Sequence, residues 1–156
     1  MNPQIGNVAS LAGGGPSRLS GLLEQARAGV LNGDVSPDPT ERVQKLVDDW
    51  KAVLRRPDSI SDFFLGHTYR AMASFCRASS IEDLKRTRAR VYLAQGSEDR
   101  SVAPAGFDVL YGELLPQGRD VVGDWIPGAD HGVGFPAQPN RDGQREVFER
   151  IRMWFL

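Results

Sequence analysis

Hydrophobic positions in this chain follow two different periods, which predicts strands that alternate with helices. Three short, nearly continuous apolar runs are typical of buried strands, at 5–12, 91–95 and 121–126. Apolar residues spaced three or four positions apart predict amphipathic helices at about 17–29, 104–115 and 143–155. This order predicts an α/β fold with about three parallel strands and flanking helices. The residues expected to face the core from the last two helices are Phe107, Leu110, Leu114, Leu115, Val147, Phe148, Ile151 and Phe155.

The segment 38–86 is predicted to be a helical insertion between the first two strands. Asp38 is placed to cap a helix, with Glu41 as the second half of a capping box. Another helix is predicted from a Ser61 cap to about Arg77, and a further short turn follows it. The insertion is rich in aromatic residues, and we expect it to serve as a lid.

The length of 156 residues fits one domain, so 1–156 is predicted to be a single domain. Within it we distinguish a strand–helix–loop segment at 1–37, the lid-like insertion at 38–86, and a strand–helix–strand–helix segment at 87–156. Hydrophobic residues make up 40% of the chain and charged residues 25%. These values are close to those of globular proteins and argue against disorder.

Charge and cysteine content narrow the expected partners and compartment. A formal net charge of -1 provides no field that attracts nucleic acid or anionic lipid, so neither partner is expected. No apolar run approaches the roughly 20 residues of a membrane helix, and Met1–Gln4 does not lead from a basic flank into an apolar run. Cys76 is the only cysteine, which fits a reducing compartment, and we expect the cytoplasm.

Two side chains with acid–base chemistry follow the last two predicted strands. Asp99 and His131 should lie together, because the carboxyl ends of parallel strands share one edge of the sheet. There the carboxylate would accept the Nδ1 proton of the imidazole and leave Nε2 free to take a proton from a nucleophile. Taken singly, Asp99 also fits a turn-forming carboxylate, and His131 also fits a loop histidine bonded to the backbone.

The order and spacing of these residues resemble α/β-hydrolase fold enzymes. The family's acid and histidine segments are similar to Gly96-Ser97-Glu98-Asp99-Arg100-Ser101-Val102 and Gly128-Ala129-Asp130-His131-Gly132, which here are separated by a helix and a strand. The resemblance covers roughly 90–156. Residues 5–86 are similar by arrangement, with weaker motifs, to the family's sixth strand and lid. The resemblance implies that Asp99 is the triad acid and His131 the general base, while Asp130 lies in the same turn as the histidine and is the less suitable carboxylate.

One departure from the family is large. Its members carry a serine on a sharp strand-to-helix turn, and an oxyanion hole, upstream of the strand that corresponds to 5–12. This chain has no Gly-x-Ser-x-Gly segment, and its candidate nucleophiles all lie outside such a turn: Ser10, Ser17, Ser20, Ser97, Ser101 and Cys76. We therefore expect the nucleophile to be absent from this chain. A complete enzyme that uses an unrecognised serine of this chain is a weaker alternative.

Two other features carry weaker signals. His67 could face a substrate, but a surface or core-edge position on a helix is the simpler interpretation. Gly13–Gly15 before a helix suggests a phosphate cradle. The segment lacks both the Lys-Ser/Thr ending of a phosphate loop and the spacing of a dinucleotide site, which favours a flexible strand exit. Neither a cofactor nor a metal is expected.

The resemblance implies the C-terminal part of a serine hydrolase that cleaves an ester, thioester or amide of a small acyl substrate. Without a nucleophile the chain is expected to be inactive alone. A sheet of about three strands should also leave an edge uncovered at 5–12, which predicts a homo-oligomer or a complementing chain that carries the nucleophile. The alternative is a non-catalytic half-fold interaction module that oligomerises or binds a partner.

Overall fold

The structure is a computed structural model and describes residues 5–13, 15–31, 33 and 35–156. Residues 1–4, considered above for export, and Gly14 of the glycine triplet lie outside the described residues. The elements in chain order are β1 Asn7–Leu11, α1 Arg18–Ala28, α2 Pro39–Arg55, β2 Phe63–Phe64, β3 His67–Thr68, α3 Tyr69–Arg77, α4 Ser80–Lys85, β4 Arg90–Gly96, α5 Ala105–Leu114, a 3-10 turn Leu115–Gln117, β5 Val121–Ile126 and α6 Gly143–Phe155. Among the residues that the structure describes, no helix is both long and apolar enough to cross a membrane.

Three strands form a parallel sheet in the order β1-β4-β5. Val91 in the central strand pairs with Val8 on one side and with Val121 on the other. Six of the seven residues of β4 are buried, which explains why this strand is a nearly continuous apolar run. The predicted α/β class with three parallel strands and flanking helices is confirmed.

Close contacts divide the chain into two compact units. The sheet unit contains the chain up to Pro16 together with Ser80–Leu156, and the helical unit contains Ser17–Ser79. In the first unit, helices cover both faces of the sheet. Val147 and Ile151 of α6 pack against one face, and α4 and α5 pack against the other. Although α4 lies in the segment 38–86, its apolar residues belong to the core of the sheet unit.

The helical unit is built mainly from α1, α2 and α3. It therefore includes α1, which lies before the predicted insertion at 38–86. Gly29, with φ 69°, ends α1 as predicted. Arg42 is buried and donates to the backbone oxygens of Ala26, Arg27 and Ser36 at 2.6, 2.6 and 2.8 Å. This guanidinium satisfies the last carbonyls of α1 and thereby joins α1 to α2.

The predicted helix from Ser61 to Arg77 is wrong in its first half. Residues 63–64 and 67–68 form a two-stranded antiparallel hairpin. Leu65 and Gly66 form its turn with φ of 48° and 80°, in the left-handed region that helices do not use. The helix starts at Tyr69, where the Thr68 side chain accepts a hydrogen bond from the Ala71 N–H.

Other local expectations also differ from the structure. The capping box at Asp38 is wrong, because its side chain accepts from the Thr40 N–H while the Glu41 carboxylate accepts from the Ser36 hydroxyl. Three residues predicted to face the core are exposed instead: Leu115, Phe148 and Phe155. The helix around Leu115 tightens into a 3-10 turn, which changes the direction of its side chain, and α6 buries a narrower stripe than its apolar content suggested.

Candidate active site

The turn after β4 and the loop after β5 lie against each other at the carboxyl edge of the sheet. The Ser97 N–H donates to the Ile126 oxygen at 3.1 Å, and the Glu98 N–H donates to the Ala129 oxygen at 2.9 Å. A Cβ atom at Gly96 would lie 2.3 Å from the Ala129 oxygen. Only glycine permits so close an approach of the two backbones, so this residue sets the distance between the two loops.

Asp99 is almost completely buried in the first of these turns, with 4% of the residue exposed. Its Oδ1 atom accepts hydrogen bonds from the N–H groups of Ser101 and Val102, each at 2.8 Å. Its Oδ2 atom accepts from the Gln95 side-chain amide at 2.9 Å. A buried carboxylate with several donors is satisfied in its charged form.

The predicted contact between the acid and the histidine is present. Nδ1 of His131 lies 3.0 Å from Oδ2 of Asp99. Because an ionised carboxylate only accepts hydrogen bonds, Nδ1 carries the proton and donates it, and Nε2 of the neutral ring holds a lone pair. Half of the His131 side chain is exposed, so the pair joins a buried acid to an accessible base.

Opposing effects act on the Asp99 carboxyl group. Burial on its own raises the pKa of Asp99, because it disfavours the charged form. Hydrogen bonds from the Val102 N–H, His131, Gln95 and the Ser101 N–H outweigh burial, and the pKa of Asp99 lies below its usual value. The group therefore stays ionised at neutral pH, as an acid that orients a histidine requires.

The histidine loop is shaped by the neighbouring carboxylate. Oδ1 of Asp130 accepts from the N–H groups of Gly132 and Gly134 at 2.9 and 2.8 Å. The Asp130 N–H also donates to the Gly134 oxygen at 2.9 Å, which closes the loop around His131. Asp130 therefore bonds to its own loop, and Asp99 is the carboxylate that contacts the imidazole.

His131 lines a cavity of about 670 Å³ on the surface of the sheet unit. The other residues that line the cavity are charged residues and small loop residues: Glu98, Arg100, Ser101, Gly128, Asp130, Gly132, Pro136 and Ala137. Nδ1 is the ring nitrogen that contacts Asp99, which leaves Nε2 as the nitrogen for acid–base chemistry. The arrangement offers a base in an open cavity, with a fixed acid behind it.

Four of the six candidate nucleophiles contact other groups through their side chains. Ser17 and Ser20 bond to each other in the cap of α1, and the Ser97 hydroxyl accepts from the Gly128 N–H at 2.9 Å. Cys76 contacts the Met72 sulfur, and burial raises the pKa of its thiol. Ser10 lies within β1 and Ser101 lies in the turn of Asp99. None of the five serines belongs to a Gly-x-Ser-x-Gly segment.

His67 lies on β3 of the small hairpin, in the helical unit, and is exposed. The prediction that it lies on a helix is wrong, because the hairpin occupies this part of the chain. Among the residues that the structure describes, no group of three or more His, Cys, Asp or Glu could hold a metal ion.

Gln95 is a site residue that we did not single out from the sequence. It is a buried amide that follows the apolar residues Leu93 and Ala94 in β4, four residues before Asp99. A polar residue inside a buried run needs a hydrogen-bond partner, and this requirement is the signal that could have drawn attention to it.

Comparison with known proteins assigns the chain to no family, because no family model and no curated protein matches it. The resemblance to α/β-hydrolases therefore rests on the two motifs around Asp99 and His131. The three-stranded parallel sheet is compatible with a partial α/β fold. Family membership and the catalytic role of the pair stay predictions.

Proposed function

We propose that this chain is the acid and histidine portion of an α/β-hydrolase-like serine hydrolase acting on an ester, thioester or amide. The observation that supports the proposal is the 3.0 Å contact between Asp99 Oδ2 and His131 Nδ1, made by loops that follow adjacent parallel strands. The accessible histidine lining a 670 Å³ cavity provides room for a small acyl substrate.

In the proposed reaction, Nε2 of His131 takes the hydroxyl proton of a serine as that oxygen attacks the acyl carbon. Asp99 stabilises the imidazolium that forms and keeps Nε2 facing the reaction. The imidazolium then protonates the leaving group as the bond to it breaks, which leaves an acyl-serine. A water molecule that Nε2 deprotonates then attacks the acyl carbon, and the imidazolium returns its proton to the serine oxygen as the acid is released.

We propose that the serine comes from outside this chain, because the chain has no Gly-x-Ser-x-Gly segment to activate one of its own. The free edge of β1 is the surface we assign to the required partner, either a second copy or a complementing chain. Among the described strands β1 has one neighbour, and its sequence NVASL has no charge or proline to block pairing. A lid role for 38–86 and a cytoplasmic location complete the proposal and rest on the sequence.

The same open edge favours a second candidate, a non-catalytic interaction module. Such a module would use β1 to bind a strand, and the contact between Asp99 and His131 would only stabilise the two loops. The candidates differ in whether the accessible imidazole reacts with acyl compounds.

A model ester tests the proposal on the chain alone. Because Nε2 is accessible, His131 should attack p-nitrophenyl acetate, release p-nitrophenolate and then lose the acetyl group to water. His131→Ala should abolish this slow reaction and Asp99→Asn should reduce it, whereas His67→Ala, the matched control at the other histidine, should leave it unchanged. Equal losses for the two histidine variants would favour the non-catalytic module.

A fluorophosphonate probe tests the source of the nucleophile. Activated serines react with this probe, and mass spectrometry identifies the labelled peptide. The chain alone should stay unlabelled, because it has no Gly-x-Ser-x-Gly segment that would activate a serine. Labelling of a serine within the chain would overturn the proposal that the nucleophile is supplied from outside and would support a complete enzyme.

A further inference from the structure

The side-chain amide of Gln95 is buried behind the acid of the candidate site. Only 2% of this residue is exposed, and its Nε2 group donates to Asp99 Oδ2 at 2.9 Å and to the Gly96 oxygen at 3.2 Å. Val91, Leu93 and Ala94 on the same strand are apolar. Burial of an amide is unfavourable without a partner, so its contact with the carboxylate is the feature that compensates for its place there.

The two carboxylate oxygens of Asp99 accept hydrogen bonds from different parts of the protein. The turn itself holds Oδ1 through the N–H groups of Ser101 and Val102. Oδ2 has two donors from other elements, Gln95 on β4 and His131 on the loop after β5. Gln95 therefore determines where the oxygen that faces the imidazole can lie.

We propose that Gln95 is a positioning residue, whose amide fixes Oδ2 of Asp99 in front of Nδ1 of His131. Its importance for catalysis rests on the proposed function, but its effect on the histidine does not. Without the amide, Oδ2 has His131 as its remaining side-chain donor, and the carboxylate gains freedom to turn away from the ring. The proton of the neutral imidazole then loses its preference for Nδ1.

The test is nitrogen-15 NMR of His131 at about pH 9, where an imidazole is neutral. In the wild type we expect one tautomer, with the proton on Nδ1. Gln95→Met keeps the size of the side chain but removes the donor, and it should give a mixture of tautomers. It should also move the pKa of Asp99 up towards the usual aspartate value, which carbon-13 shifts of the carboxyl group measure. Leu93→Val, a buried change on the same strand, is the control and should alter neither.

Gln95→Glu is a second variant that keeps the shape of the side chain. At about pH 9 an ordinary carboxyl group is ionised, so the introduced group has no proton to donate to Oδ2. This variant should therefore disturb the tautomer at least as much as Gln95→Met does. A wild-type tautomer in folded Gln95→Met would overturn the proposal.

The wild type provides a second measurement that needs no variant to fold. If the amide of Gln95 bonds to Asp99, its proton shift should change with the same midpoint as the Asp99 carboxyl carbon during an acid titration. An amide that does not respond to protonation of Asp99 would also overturn the proposal.

The ester reaction separates this proposal from the proposed function. Gln95→Met should slow acetyl transfer from p-nitrophenyl acetate by about three- to tenfold, as expected for one hydrogen bond. If His131 shows no ester reaction but its tautomer depends on Gln95, the hydrolase proposal fails and the positioning role stands. If the reaction depends on His131 but neither its rate nor the tautomer changes in Gln95→Met, the positioning role fails alone.

Discussion

The turn after β4 and the loop after β5 each contain a carboxylate, and the two carboxylates have different roles. Asp99 is buried and accepts hydrogen bonds from its own turn, from Gln95 and from His131. Asp130 is adjacent to His131 in sequence, but its Oδ1 atom bonds to the backbone of its own loop. The comparison shows that a neighbouring strand, rather than the neighbouring residue, provides the partner of the histidine.

The two segments also depend on each other. The acid turn is held to the histidine loop by backbone hydrogen bonds from Ser97 and Glu98, next to the close approach at Gly96. A change that separates the backbones should therefore have larger effects than a change to either carboxylate.

Gly96→Ala should have the largest effect on folding. Its Cβ atom would lie 2.3 and 2.7 Å from the backbone oxygens of Ala129 and Asp130, so the two loops must move apart. We expect the free energy of unfolding to fall by about 3 kcal/mol in urea denaturation. Gly112→Ala is the control, because nothing lies within 4 Å of a Cβ at this exposed position in α5, and it should stabilise by about 0.5–1 kcal/mol. Equal effects of the two changes would contradict the close packing of the loops.

Asp99→Asn should lower the free energy of unfolding by about 2 kcal/mol at neutral pH, because buried donors lose a charged acceptor. The folded-state pKa of Asp99 is depressed, so its ionisation stabilises the protein above the unfolded pKa of about 3.9. That contribution is lost as the pH falls through the folded-state pKa. The difference between wild type and variant, measured by urea denaturation across acidic pH, should therefore shrink towards low pH. A constant difference would contradict this assignment.

Asp130→Ala should have a smaller effect of about 1 kcal/mol, because water can reach the N–H groups of Gly132 and Gly134 when the carboxylate is removed. Asp130→Asn keeps an oxygen at this position and should be closer to wild type. Urea denaturation measures the stabilities, and the p-nitrophenyl acetate reaction should be reduced less than in Asp99→Asn. A larger loss of reaction in Asp130→Ala would mean that the wrong carboxylate has been assigned to the histidine.

Ser97→Ala should have the smallest effect. It removes the acceptor of the Gly128 N–H at an exposed site, which should cost about 0.5–1 kcal/mol of stability in urea denaturation. The ester reaction should not change, because Ser97 has no proposed chemical role. Loss of the reaction would instead identify Ser97 as a nucleophile.

Much of the fold follows from local sequence patterns. The apolar runs predicted all three strands of the parallel sheet, and the end of α1 at Gly29 followed from the freedom of glycine. The hairpin at 63–68 was missed because Phe64, Leu65, Thr68 and Met72 have helical spacing. The left-handed conformations of Leu65 and Gly66 depend on the turn that they form. Apolar spacing also overstated the buried faces of α5 and α6, since the extent of burial depends on what packs against a helix.

The candidate site could be predicted only in part. Strand order and loop position predicted that Asp99 and His131 would meet, because parallel strands end at one edge of a sheet. The donors around Asp99 were not predictable from spacing, since they include backbone groups whose direction the turn determines. The burial of Arg42 was missed for a similar reason, as its partners are carbonyls at the end of another helix.

The most direct test of the central claim is the position of the proton on neutral His131. Nitrogen-15 NMR distinguishes Nδ1–H from Nε2–H, and the spectrum can be compared between the wild type and Asp99→Asn. A hydrogen bond from Nδ1 to Asp99 predicts a single Nδ1–H form in the wild type and a changed tautomer balance in the variant. A wild-type imidazole that carries its proton on Nε2, with no response to Asp99→Asn, would contradict the acid–base pair.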